Sequence, residues 1–113
     1  MLFRSPRGID DGVEERQERP EKYYWFEHAE RNAIYNAARI GVSTLGTTMY
    51  MTCDISCADC ARAIINAGIT KVVFSKTDKP WREEWKQSAE RSMKMFEEAG
   101  VEVEYYEIGR AHV

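Results

Sequence analysis

The stretch SCADCARAIINAGITKVVFS (residues 56–75) has the pattern of a helix followed by a strand, which indicates the fold class. From Ala61 onward, apolar residues recur at spacings of three and four, and Gly68 is the kind of residue that commonly follows a helix. We therefore predict a helix over residues 57–67. The short apolar run KVVFS (71–75) predicts a buried strand directly after it.

Helices and strands continue to alternate on both sides of this stretch. Residues 28–40 predict a helix with a buried stripe of small side chains, and TTMYMT (47–52) predicts a strand. An amphipathic helix is predicted from Pro80 to Gly100, and the alternating VEVEYYEI (101–108) predicts the last strand. The predicted stripe comprises Ala29, Ala33, Ile34, Ala37 and Ala38, and the apolar face of the long helix comprises Trp81, Trp85, Ala89, Met93 and Phe96.

This alternation predicts an α/β protein with a mainly parallel sheet in three layers, α/β/α, because right-handed crossovers join parallel strands. A chain of 113 residues supports one domain, which we place at residues 25–107. Residues 1–24 are rich in charge, Pro and Gly and predict an irregular arm with a short helical turn near 14–18.

Composition excludes several classes of function. No apolar run reaches the roughly 18 residues of a membrane helix, and the first residues lack the apolar region of a secretory signal, so we expect no membrane and a cytoplasmic protein. Net charge is −3 and the basic residues alternate with acids, which argues against long nucleic acid as a partner. Three cysteines, an odd number, favour reduced thiols that bind metal or react.

The C-x-x-C of Cys57 and Cys60 alone fits a redox pair, half of a structural zinc site, or two ligands of a catalytic metal. Thiolates at i and i+3 on a first helical turn point the same way, and the helix N-terminus favours them. His28, at the start of another predicted helix, would complete three ligands and leave a fourth position for water. Glu30 would then lie beside that water as an acid and base. A structural site that uses Cys53 as fourth ligand is the alternative.

These residues resemble a known family. HAE (28–30) followed by CADC (57–60) is similar to the H-x-E…P-C-x-x-C signature of the zinc nucleobase deaminases. From about Ser5 to Tyr105, successive stretches resemble deoxycytidylate (dCMP) deaminases. These stretches are PRGIDD, RPEKYYWFEHAERNAIYNAAR, TMYMT, CADCARAIINAGI and EEAGVEVEY.

The resemblance implies a cytidine-deaminase-like fold and the zinc-dependent hydrolysis of dCMP to dUMP and ammonia. It implies that Glu30 shuttles protons, first to N3 of cytosine while water attacks C4 and then to the departing amine. The backbone at Ala29 would help to hold the pyrimidine, and Arg7 is our candidate among the arginines of the arm for the 5′-phosphate. The implied zinc ligands are His28, Cys57 and Cys60.

The chain departs from the family pattern in three places. Ser56 stands where the family has proline, and serine can still cap the helix that follows. The first helix, the first two strands and a GYNG-like loop of the family have no counterpart, so we expect exposed apolar surface beside residues 47–52 and a homo-oligomer. The closing EIGRAHV matches a translated sequencing adaptor, so residues 108–113 are expected to be a non-native tail in which His112 has no role.

Other functions stay open at this point. A related deaminase would act on cytidine, guanine or tRNA adenosine. A non-catalytic, zinc-stabilised module would bind zinc without turnover, and a redox protein would form a reversible disulfide between Cys57 and Cys60.

Overall fold

The computed structural model describes residues 3–76 and 82–107 of the chain. The described part contains a short antiparallel pair of strands, a three-stranded parallel sheet and four α-helices. In chain order the elements are β1 (Phe3–Arg4), a 3₁₀ turn (Glu14–Gln17), α1 (Lys22–Trp25), β2 (Glu27–His28), α2 (Ala29–Ile40), β3 (Thr48–Tyr50), α3 (Ala58–Asn66), β4 (Lys71–Lys76), α4 (Glu83–Ala99) and β5 (Glu102–Glu107).

The main sheet has the order β3–β4–β5, and both neighbouring pairs are parallel. Its register places Met49 beside Val72 and Val72 beside Val103. Helix α3 connects β3 to β4, and α4 lies between β4 and β5 in the chain. The predicted α/β class and parallel sheet are therefore confirmed.

The helices pack on one another as well as on the sheet. Helix α3 contacts both α2 and α4, so α3 and α4 lie on the same face of the sheet. This is the arrangement that two successive right-handed crossovers in one direction produce. Of the three predicted layers, the described residues supply the sheet and one helical layer.

The core lies between α3, α4 and the parallel sheet. Its central contact joins Phe74 on β4 to Phe96 on α4, whose ring centroids are 6.3 Å apart. Both side chains are fully buried, as are Ile64 and Val72. Two residues predicted for the apolar face of α4 differ in exposure: Phe96 is buried in the core, and Met93 is exposed.

The predicted buried stripe on α2 is wrong. Ala33 and Ala38 are exposed, and the other three members of the stripe are only partly buried. Helix α2 packs against α3 along one side, but among the described residues β3 pairs with β4 alone and no strand lies beyond it. Glu30 is the one buried residue of this helix.

The ends of several elements differ from the sequence prediction. Strand β3 is shorter than predicted, although beyond Tyr50 the chain keeps two backbone hydrogen bonds to β4, from the Met51 N–H to the Val73 carbonyl and from the Ser75 N–H to the Cys53 carbonyl. Gly41 and Gly100 follow α2 and α4 in the left-handed conformation as expected. The arm includes the predicted turn and also β1, which pairs with β2.

Trp81 and the tail at 108–113, with His112, lie outside the described residues. No helix in the described ranges is both long enough and apolar enough to cross a membrane.

Candidate metal centre

His28 lies at the junction between β2 and α2. It is the last residue of β2, paired in register with Phe3 of β1, and also the N-cap of α2 with extended backbone angles (φ −73°, ψ 147°). The two-stranded pairing fixes the backbone immediately before the helix begins. The imidazole is thus presented from a strand-to-helix turn at the start of the helix, where the sequence pattern placed it.

The two cysteines lie at the start of α3. Cys57 is the N-cap, and its Sγ accepts the backbone N–H of Cys60 at 3.4 Å. The Cys60 side chain, on the first turn, is fully buried. A thiolate sulfur therefore takes the capping position that a serine or aspartate oxygen often takes, and one of the unpaired amides of the helix start is satisfied.

The three predicted ligands lie together. Nδ1 of His28 is 3.5 Å from Sγ of Cys57 and 3.3 Å from Sγ of Cys60. All three candidate ligand atoms lie within 4.8 Å of one another. Tetrahedral zinc, with bonds of about 2.3 Å to sulfur and about 2.0 Å to nitrogen, separates such atoms by about 3.6 Å. One nitrogen and two sulfurs at this spacing fit zinc.

The protonation of the thiols also favours a cation. The hydrogen bond with the Cys60 thiol, and then the contact with His28, lower the pKa of Cys57 to about 4. The same hydrogen bond, together with burial, raises the pKa of Cys60. The lowered pKa of Cys57 favours its thiolate form, and a zinc ion held by both sulfurs would require both thiols to be deprotonated.

Arg31 is a member of the site that the sequence pattern did not reveal. Its Nε lies 2.7 Å from Oε1 of Glu27, one Nη lies 3.8 Å from Oδ2 of Asp59, and its side chain is 22% exposed. Burial lowers its pKa, but the charges of Cys60, Glu27, Cys57 and Asp59 outweigh burial and leave the pKa raised. The guanidinium therefore offsets part of the negative charge that two thiolates bring. The sequence feature that could have identified Arg31 is its position three residues after His28, on the same side of the helix.

Glu30 is buried next to this group. Its side chain is on the first turn of α2, the residue is 2% exposed, and neither carboxylate oxygen has a hydrogen-bond partner among the described residues. Burial is the main cause that raises the pKa of Cys53 to about 11, and the charge of Glu30 adds to it; the same charge contributes to the raised pKa of Cys60. The group formed by His28, Cys57 and Cys60 does not include Cys53, so the described residues do not support the structural four-ligand alternative.

The two predicted substrate contacts have different surroundings. Ala29 lies between His28 and Glu30 at the start of α2 and is partly buried. Arg7 is in the arm, where its Nη2 donates to Oδ1 of Asn36 on α2, and it lines a surface cavity together with Asn32. The arm is thus held against the helix that begins at the metal centre.

A parallel α/β sheet thus carries a His, Cys, Cys group at two helix starts with a buried carboxylate beside it, a donor set that suits zinc. The sequence model of the cytidine and deoxycytidylate deaminase zinc-binding region matches residues 10–76. The chain belongs to this family.

Individual relatives agree with the family. The chain is 54% identical over 50 residues to the deoxycytidylate deaminase of Enterobacteria phage T2, which covers 44% of this chain and 26% of the phage protein. It is 36% identical over 98 residues to an uncharacterized deaminase in the luxG 3′ region of Aliivibrio fischeri, covering 87% of this chain and 63% of that protein. The chain thus spans between a quarter and two thirds of the length of these relatives.

A solved structure has the same fold. The apo dCMP deaminase of cyanophage S-TIM5 superposes with a TM-score of 0.61 at 24% identity, over 92% of this chain and 67% of that one. The predicted cytidine-deaminase-like fold is confirmed by this likeness.

Proposed function

We propose that this chain carries a zinc-dependent deaminase site that hydrolyses the cytosine amino group of dCMP, giving dUMP and ammonia. The observation that carries the proposal is Glu30, a buried carboxylate without a hydrogen-bond partner among the described residues, two positions after a candidate zinc ligand. A purely structural zinc site has no use for such a group, because burying a charge without a partner destabilises the fold.

Each residue has a separate task in the proposed reaction. His28, Cys57 and Cys60 would hold zinc, which in a three-ligand site lowers the pKa of a bound water to about 7. Glu30 would accept a proton from the attacking water and pass it to N3 of the ring. The new bond joins oxygen to C4, the bond from C4 to the amino nitrogen breaks, and Glu30 delivers the second water proton to the departing ammonia.

The surroundings of Glu30 suit this exchange. Neither of its buried oxygens accepts a hydrogen bond from a described side chain or backbone group, so both retain the capacity to take up a proton. Its position on the first turn of α2 fixes the carboxylate relative to His28, the residue that begins the helix. A proton carrier must lie within hydrogen-bond reach of both the water and the ring, which a rigid helix start allows.

The choice of dCMP rests on two supports. Two phage relatives that match over 50 residues are named deoxycytidylate deaminases. Arg7 and Arg4 line one cavity near α2, and a guanidinium is suited to a 5′-phosphate. The backbone at Ala29 would contact the pyrimidine. We also propose that the protein acts as a homo-oligomer in the cytoplasm, where its thiols stay reduced.

Ammonia release tests this choice. Zinc-loaded protein is given dCMP, cytidine, guanine or a tRNA substrate, and metal-stripped protein is the control. The proposal predicts release from dCMP well above that from cytidine, and none after metal removal. Faster release from cytidine, guanine or tRNA would assign the site to another member of the family.

A non-catalytic zinc-stabilised module is the second candidate. It is favoured by the exposed apolar side chains along α2 and β3, such as Ile40 and Tyr50, which are 69% and 75% exposed. This candidate predicts bound zinc but no ammonia from any of the four substrates, whatever the protein concentration.

A further inference from the structure

Two serine hydroxyls of α4 hold the backbone on either side of Cys57. We propose that Ser88 and Ser92 are positioning residues that keep this cysteine in the geometry of a zinc ligand, an inference that rests on the proposed zinc site. Neither residue touches the ligand sulfurs. Their effect passes through the main chain of residues 56–58.

The first contact is with the residue after the cysteine. The backbone N–H of Ala58 donates to Oγ of Ser88 at 2.9 Å. Ala58 is the first residue of α3, and its amide has no partner within the helix. Helix α4 therefore caps the start of α3 from outside, next to the cap that Cys57 itself provides.

The second contact is with the residue before the cysteine. Oγ of Ser92 donates to the carbonyl oxygen of Ser56 at 2.7 Å and lies 3.1 Å from the carbonyl oxygen of Ser88, one turn earlier in its own helix. Ser92 and Ser56 are both fully buried. A hydrogen bond in such a place is costly to lose, because the buried carbonyl is then left unpaired.

The peptide groups on both sides of Cys57 are thus fixed by one neighbouring helix. The family signature has proline at position 56, whose ring restricts the backbone of the turn. This chain has serine there, which lacks that restriction. The two hydrogen bonds from α4 restrict the backbone of this turn from outside, whereas Ser56 does not restrict it as proline would.

Loss of this constraint should be measurable as loss of metal affinity. Partners that orient metal ligands typically change affinity by tenfold to a hundredfold when removed, so we expect at least about a tenfold weaker zinc site in Ser92→Ala and Ser88→Ala. The same variants should broaden or shift the visible absorption of bound cobalt, which reports ligand geometry.

The experiment measures zinc affinity of the folded full chain by competition with a chromophoric chelator, and the cobalt spectrum on the same samples. Ser88→Thr keeps the hydroxyl at a partly buried position and should retain near-normal affinity. Phe96→Leu, one turn after Ser92, is the matched control: it loosens the core on the same helix and should leave the metal site unchanged. Cys57→Ser removes a ligand.

The outcomes separate the inference from the proposed function. Weaker zinc binding in both alanine variants, with normal binding in Ser88→Thr and Phe96→Leu, supports the positioning role. Normal affinity and an unchanged cobalt spectrum in Ser88→Ala, while Cys57→Ser loses zinc, overturns the inference alone. Unchanged binding in Cys57→Ser overturns the zinc site and the inference with it. If Ser92→Ala does not fold, Ser88→Ala decides.

Discussion

Replacing Glu30 with glutamine should make the metal-free protein more stable while removing its activity. In the structure the carboxylate is buried and neither oxygen has a partner among the described residues. A buried polar group without a hydrogen bond costs about 1–3 kcal/mol, and more when it is charged. Glutamine keeps the shape and still leaves an amide unpaired, so the change removes only the part of the cost that is due to charge. We expect a gain of about 1–2 kcal/mol in the free energy of unfolding.

Urea unfolding in the presence of a chelator measures this gain, and a rise in melting temperature of about 4 °C per kcal/mol should accompany it. Glu97→Gln, an exposed carboxylate on α4, is the control and should change stability by no more than about 0.5 kcal/mol. A Glu30→Gln variant that is less stable than the wild type would contradict an uncompensated cost of burying the carboxylate. It would show that favourable contacts hold the carboxylate and that it is not kept free for chemistry.

Three further predictions concern the core, the charge beside the metal centre and the spare thiol. Phe96→Ala should lower the free energy of unfolding by about 3–5 kcal/mol, because the ring is fully buried against Phe74. Met93→Ala, on the exposed side of the helix, should lower it by less than about 1 kcal/mol. Equal losses in urea unfolding would contradict the described core. Arg31→Gln should weaken zinc binding about tenfold, since the two thiolates lose a neighbouring positive charge. If chelator competition shows no change in zinc affinity, Arg31 does not stabilise the thiolates. Because burial raises the pKa of Cys53 to about 11, its thiolate is scarce near neutral pH, and its alkylation, followed by mass spectrometry, should rise about tenfold per pH unit from about pH 8 to about pH 10. A plateau near pH 9 would contradict that shift.

The elements that sequence predicted well carry a strong local signal. Helix α3 and strand β4 follow directly from the apolar spacing in residues 57–67 and the run at 71–75. Gly41 and Gly100 ended their helices where expected because each adopts a positive φ that glycine tolerates best. The metal group was also predictable, since a histidine and two cysteines at two helix starts form a pattern that is typical of zinc sites.

The features that sequence did not reveal depend on partners distant in the chain. Strands β1 and β2 have two residues each, too few to show an alternating pattern, and they are defined by the pairing of Phe3 with His28 and of Arg4 with Glu27. The exposure of Ala33 on α2 depends on what covers the helix, which its apolar spacing alone cannot show. Ser92 is a polar residue within an otherwise apolar face of α4. Its partner, the carbonyl oxygen of Ser56, is distant in the chain and is identified only by the structure.

We propose that Glu30 performs the chemistry beside a zinc ion held by His28, Cys57 and Cys60. The most direct measurement is ammonia release from dCMP by the wild type and by Glu30→Gln, with the zinc content of both determined in the same preparations. We predict one zinc per chain in each, turnover by the wild type, and a loss of at least about a hundredfold in the variant. Equal turnover by the two proteins, or one zinc per chain with no release by the wild type, would rule out this role of Glu30.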